Sequence, residues 1–159
     1  MIRGPGADGQ GLRYTEVVVG DAFTSTMTVT ETHLVLGAGL IGDFNPHHVD
    51  ETYARGARYG GRILHGMLTS AIMGASLGMR FQGTAIGYLE HHVRFLAPVY
   101  PGDTLATTWR FVERIDKPKL AGGIVVAHGE CRNQDGGLVA SAEAKMLVGD
   151  DPTGRGSAA

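Results

Sequence analysis

The chain of 159 residues has a single cysteine, Cys131. That excludes an intramolecular disulfide and suits a reducing compartment, so a cytoplasmic location is expected. Cys131 falls in an alternating strand pattern, where a small buried hydrophobe is a commoner role than a nucleophile. No run of Lys or Arg occurs and the formal charge is −2, so no basic face for nucleic acid is expected. No basic-then-apolar stretch opens the chain, and no signal peptide is expected. The stretch Ile63–Met79 carries no Asp, Glu, Lys or Arg, but it includes His65, Thr69, Ser70 and Ser76. It also falls short of the ~20 apolar residues of a membrane span, so a buried core helix is the expectation and a membrane partner is not. No HExxH and no cysteine-rich metal spacing is present. The adjacent pair His91-His92 points to opposite faces of a strand and cannot chelate together, so no metal is expected.

Internal repeats and linkers are missing as well, which leaves one domain over residues 13–148 with flexible tails at 1–12 and 149–159. Within it, residues 22–29 alternate as a first strand. Thr30 caps a helix with the apolar stripe Leu34, Ala38 and Ile41, ending at Gly42. Asp50 caps a short helix, Glu51–Arg55. A third helix, about Gly66–Arg80, is apolar almost all round, which predicts burial on every side and makes Met67, Met73 and Met79 core filler. The period then changes to two. Ile86–Phe95 puts Leu89, Val93 and Phe95 on one face, and Tyr100-Pro101-Gly102-Asp103 reads as a type II turn. Strands follow at Leu105–Val112, Ile124–Cys131 and Leu138–Val148, with a polar loop at Glu113–Gly123 and a hairpin turn at Asn133–Gly137. The fold class is α+β: one antiparallel sheet wrapped around one long buried helix. Its edges need cover, and edge-to-edge dimerisation is one way to supply it.

The segment Gly42–Gly66 holds Asp43-x-Asn45-x-x-His48 and then His65-Gly66, where the long helix opens. Alone, Asp43 reads as a turn former behind a helix and Asn45-Pro46 as a common turn. Together with His48 and a helix N-terminus they read as a site that activates water beside a developing oxyanion. For His65 the structural reading, an orienting residue at the helix start, is favoured.

Three stretches resemble the MaoC-like dehydratases, the (R)-specific enoyl-CoA hydratases of the hotdog fold. They are Gly42-Asp43-Phe44-Asn45-Pro46-His47-His48-Val49-Asp50, Gly60-Gly61-Arg62-Ile63-Leu64-His65-Gly66-Met67-Leu68, and Arg94-Phe95-Leu96-Ala97-Pro98-Val99-Tyr100-Pro101-Gly102-Asp103, with Asn133-Gln134-Asp135-Gly136 further on. The first is specific; the Pro-Val-x-Pro-Gly-Asp turn is shared more widely among hotdog proteins. The resemblance implies a hotdog domain with an overhanging helical segment carrying the active site, and a homodimer. It also implies a hydro-lyase that reversibly hydrates trans-2-enoyl thioesters to (R)-3-hydroxyacyl thioesters. On that likeness Asp43 and His48 are the catalytic pair, Asn45 is a helper that either contacts water or fixes the loop, and the Gly66 N–H binds the thioester oxygen. The chain departs from the family at His47, where Leu or Ile is usual.

The chemistry suits these residues. Asp43 and His48 can hold one water from two sides as general bases. A carboxylate buried under a sheet would also be made a better base by desolvation. The enolate oxygen meets free N–H groups at a helix N-terminus, and Gly66 lets the thioester approach closely. No metal or organic cofactor is needed; CoA or an acyl carrier protein delivers the acyl group. Arg58, Arg62 and Arg94 are candidates for CoA phosphates. Ser70, Gly74 and Leu77 lie on the helix face that starts at Gly66, and Gly74 is expected to leave room in the acyl pocket. Two other functions stand beside this one. A hotdog thioesterase usually places a carboxylate on the buried helix, and Gly66–Met79 has none. A non-catalytic acyl-thioester-binding subunit would be expected to have lost Asp43 or His48, and both are present.

Overall fold

The computed structural model describes residues 11–151. Most of both expected tails, residues 1–10 and 152–159, lies outside the described residues. At the inner ends, the Gly11 and Leu12 N–H groups donate to the Gln82 and Arg80 carbonyls, and Gly149 and Asp150 likewise donate to Thr84 and Ala121.

Five strands, β1 (Ala22–Thr28), β2 (Ala85–Phe95), β3 (Thr104–Lys117), β4 (Gly122–Arg132) and β5 (Leu138–Gly149), form one antiparallel sheet in the order β1-β3-β4-β5-β2. Helix α1 (Glu31–Ile41), two short helices α2 (Pro46–Val49) and α3 (Glu51–Gly56), and the long α4 (Gly66–Arg80) lie between β1 and β2 in the chain. No helix among the described residues is long and apolar enough to cross a membrane. The expected hotdog arrangement is present.

The core forms where strand alternation meets one stripe of α4. Ala140, Ala142, Ala144 and Met146 of β5 are all buried, as their period-two spacing predicts. Trp109 on β3 is fully buried under α4, and its indole N–H donates to Ser76 Oγ at 2.9 Å and to the Met73 carbonyl at 3.2 Å. Gly129 stands opposite Trp109 on β4, and a Cβ there would lie 2.7–2.9 Å from the indole. Cys131 is buried, and burial pushes its thiol pKa up, which fits a small hydrophobe rather than a nucleophile. Gly102 takes φ +96°, with the Asp103 N–H donating to the Tyr100 carbonyl, as a type II turn requires.

Three expectations need correction. The polar segment Glu113–Gly123 is mostly strand: β3 continues to Lys117 and β4 begins at Gly122. Its polar side chains have partners in the segment before β1. Tyr14 donates to Asp116 at 2.6 Å, Arg114 lies over the Tyr14 ring, and a Cβ on Gly123 would strike that ring at 2.3 Å. Gly123 therefore marks a close approach rather than a loop. Second, α4 is not buried all round. Thr69, Met73 and Leu77 are buried, whereas Met67 and Met79 are more than 60% exposed at 66% and 63%. Third, a register shift between Tyr88 and Glu90 on β2 breaks the alternation. Phe95 and His91 face α4, but Tyr88 joins them and Leu89 is exposed.

Candidate active site

The site is built where α1 stops. Gly42 adopts φ +73° and its N–H donates to the Ala38 carbonyl at 2.9 Å, so the chain turns out of the helix immediately before Asp43. Asp43 Oδ1 accepts from the Asn45 N–H at 3.1 Å, and Asn45 Oδ1 accepts from the His47 N–H at 3.2 Å. Asn45 is thus the N-cap of α2, with Pro46 in the first turn. Of the two roles left open for Asn45, fixing the loop is the one the contacts display.

One turn of helix brings His48 back over Asp43. His48 Nδ1 lies 2.8 Å from the Ile63 carbonyl, and its Nε2 lies 3.7 Å from Asp43 Oδ2. A carbonyl only accepts, so Nδ1 carries the proton and Nε2 turns its lone pair toward the carboxylate. Two acceptors then face each other across a gap too long for a direct hydrogen bond. A water molecule has the complementary chemistry, one O–H for each.

His65 joins this arrangement in a way its sequence position did not reveal. It is the N-cap of α4, 1% exposed, and its Nε2 lies 2.9 Å from the Asp43 carbonyl. Its ring stacks on His48 with centroids 3.8 Å apart and planes at 26°. The orienting reading of His65 fits these contacts. Donor atoms of Asp43, His48 and His65 lie within 4.8 Å of one another, a spacing that can hold a cation. With Nε2 donating to the Asp43 carbonyl, His65 keeps its lone pair on Nδ1, which is buried without a hydrogen-bond partner.

Beyond His65, the first amide on α4 to find an acceptor is that of Leu68, bonded to the His65 carbonyl. The Gly66 and Met67 amides precede it and have no acceptor among the described residues. Phe95 of β2 lies across Gly66; a Cβ there would sit 3.2–3.4 Å from its ring.

The remaining candidates divide. Ser70 is half-buried on the same face of α4 and Leu77 is fully buried in the core. The room expected beside Gly74 is occupied: a Cβ there would lie 3.2 Å from the His91 imidazole and 3.5 Å from the Tyr88 hydroxyl. Arg62 is engaged elsewhere, with Glu51 at 2.8 Å and Glu31 at 2.9 Å. It clamps α1 to α3, and its hydrogen bonds, with those of Arg55, hold the Glu51 carboxyl below its ordinary pKa. Arg94 alternates with Val93 and Phe95 and so lies on the sheet face away from α4, exposed, paired in register with Ser141. Arg58 is exposed. His47 packs edge-on against Tyr53 and Tyr59, with centroids 5.2 and 5.7 Å away. The Asp43 side chain is 48% exposed, so the burial invoked to make it a stronger base is not what the fold provides.

The model of the MaoC like domain matches residues 16–129. An (R)-specific enoyl-CoA hydratase from Rhodospirillum rubrum is 39% identical over 103 residues, which are 64% of this chain and 72% of that protein. A 3-hydroxybutyryl-CoA dehydratase from Methylorubrum extorquens is 30% identical over 110 residues, 69% of this chain and 70% of the other. The unliganded R-hydratase PhaJ1 from Pseudomonas aeruginosa superimposes with a TM-score of 0.79 at 33% identity, covering 89% of this chain and 88% of that one.

Proposed function

The chain belongs to the MaoC-like domain family, and from that premise we propose that it is a hydro-lyase acting on trans-2-enoyl thioesters. The reaction is the reversible addition of water to give (R)-3-hydroxyacyl thioesters. The observation that carries this reading is the facing pair Asp43 Oδ2 and His48 Nε2, 3.7 Å apart, at the N-terminal end of α4.

Water held between the two acceptors donates one hydrogen to each. As its oxygen bonds to C3, one of the two bases takes a proton. The C2–C3 π electrons move toward the carbonyl, and negative charge gathers on the thioester oxygen. The free Gly66 N–H and the positive end of α4 stabilise that charge. Protonation at C2, by the group that took the water proton, completes the addition and restores the enzyme. The reverse sequence is dehydration. Every bond is made with protons that the substrates and the two side chains supply, so the proposal needs neither metal nor organic cofactor.

The acyl group arrives on CoA or on a carrier protein. Arg58, exposed and without an ion pair among the described residues, is freer to meet a phosphate than Arg62 with its two carboxylates. A homodimer is part of the proposal. β2 is an edge strand, and it and the following residue carry the exposed side chains Ile86, Leu89, Phe95 and Leu96, which a second copy pairing edge to edge would cover.

Crotonyl-CoA tests the activity directly. Loss of the conjugated enoyl absorbance with formation of the (R)-3-hydroxy thioester is expected. No turnover of enoyl thioesters on CoA or carrier protein would overturn it.

A further inference from the structure

His65 occupies the N-cap of α4, a position that favours Ser, Thr, Asp or Asn because their side chains accept from the first turn of the helix. The His65 side chain makes no such bond. Its ring is turned onto the overhang instead. There Nε2 meets the Asp43 carbonyl at 2.9 Å, 22 residues back along the chain, and the ring face lies on His48. The bond goes to the Asp43 backbone, so the carboxylate keeps Oδ1 for the Asn45 N–H and Oδ2 for the space beside His48.

This placement costs stability. The residue is 1% exposed, and its Nδ1 is buried without a hydrogen-bond partner. A buried acceptor left unpaired is unfavourable, and an apolar ring of similar shape would avoid that cost. A position where the fold accepts such a cost without gaining a helix cap is where a functional constraint is expected.

What the ring supplies is position. It touches both members of the water-handling pair, while the backbone of the same residue starts α4: the His65 carbonyl accepts from the Leu68 and Thr69 amides at 3.0 and 3.1 Å. The next residue is Gly66, whose N–H has no acceptor among the described residues. Attacking water and oxyanion donor must fit C3 and the thioester oxygen of one substrate, and a misplacement of about 1 Å between such groups can cost 10²-fold in rate.

We propose that His65 is a positioning residue that fixes the water-handling pair relative to the oxyanion donor, and that it is held there although it lowers stability. The proposal rests on the hydratase reading above. His65 acts through Asp43, His48 and Gly66, not on the substrate. A merely structural histidine would lower activity and melting temperature together when replaced; a positioning residue of this kind separates the two.

The test is His65→Phe, which keeps a ring for His48 and removes both the N–H and the unpaired nitrogen. With crotonyl-CoA, kcat is expected to fall about 10²-fold and KM to stay within about twofold of wild type. The melting temperature is expected to hold or rise. His65→Gln, whose side-chain amide can donate to the Asp43 carbonyl, should recover about tenfold of the loss, the scale of one hydrogen bond. In the Asp43→Asn background, His65→Phe should add less than about threefold, because it acts through a group already disabled. Where circular dichroism shows that His65→Phe does not fold, His65→Leu carries the same expectations. With an active wild type, a variant kcat within about twofold of it overturns the proposal. So does a melting temperature that falls in step with kcat, or a further loss of about 10²-fold in the Asp43→Asn background. A wild type that turns over no enoyl thioester overturns the hydratase reading first, and this inference with it.

Discussion

The overhanging segment from Gly42 to Gly66 and the packed seam between α4 and β2 meet at Gly66, yet they are held by different forces. The overhang is set by hydrogen bonds to single backbone atoms: His48 to the Ile63 carbonyl, His65 to the Asp43 carbonyl, and Asn45 to the His47 amide. The seam is set by volume, with glycine against ring at Gly66–Phe95 and Gly74–His91. Hydrogen bonds specify tautomer and direction, so damage to the overhang should abolish chemistry. Packing specifies shape, so damage to the seam should be felt first in stability.

The largest expected effect breaks the overhang. Asp43→Asn replaces an ionised acceptor with a neutral amide and should lower kcat/KM for crotonyl-CoA by about 10³, within the range of a general base. An unchanged far-UV spectrum should accompany the loss. Turnover equal to wild type would remove Asp43 from the mechanism.

The junction gives the next effect. His65 has φ −55° and ψ 135°, a conformation that a following proline accepts, and Gly66 is the first residue of α4, where proline is tolerated. Gly66→Pro therefore deletes the N–H while leaving the helix. Gly66→Ala adds the same Cβ against Phe95 but keeps the N–H. The proline variant should be about 10² slower in kcat than the alanine variant, the cost of one oxyanion donor. Equal rates would mean that the amide is not the donor.

The smallest effect sharpens the seam side. Burial first, and the charge of His92 second, hold the His91 pKa below its ordinary value of 6.5. The unfolded chain therefore binds this proton at higher pH than the folded one does. Stability from this group is complete above pH 6.5 and is lost as pH falls from 6.5 through the folded value. Melting temperature followed across that window should decline less in His91→Gln than in wild type. Identical declines would show that His91 does not contribute.

Much of this was legible in sequence because it is local or periodic. Asp43, Asn45 and His48 lie within six residues, and two local hydrogen bonds fold that segment on itself. The alternation along β5 and the turn at Gly102 came from spacing of the same kind. Readings failed where the deciding contact was distant. The segment 113–123 looked like a polar loop because Asp116 and Arg114 find their partner, Tyr14, about a hundred residues earlier. Arg62 looked free because the carboxylates of Glu31 and Glu51 belong to other elements. The bulge at Tyr88–Glu90 carries no residue signature, yet it moved Leu89 to the surface and Tyr88 onto Gly74.

Sequence alone determined the kind of chemistry: a carboxylate and an imidazole five residues apart, followed by a glycine at the mouth of a helix uncharged up to Met79. Only the tertiary structure decided the tautomer of His48, the bridge made by His65, and the packing of Phe95 and His91 onto α4. Those depend on carbonyl directions and on ring-to-backbone distances across elements far apart in the chain, which no local pattern encodes.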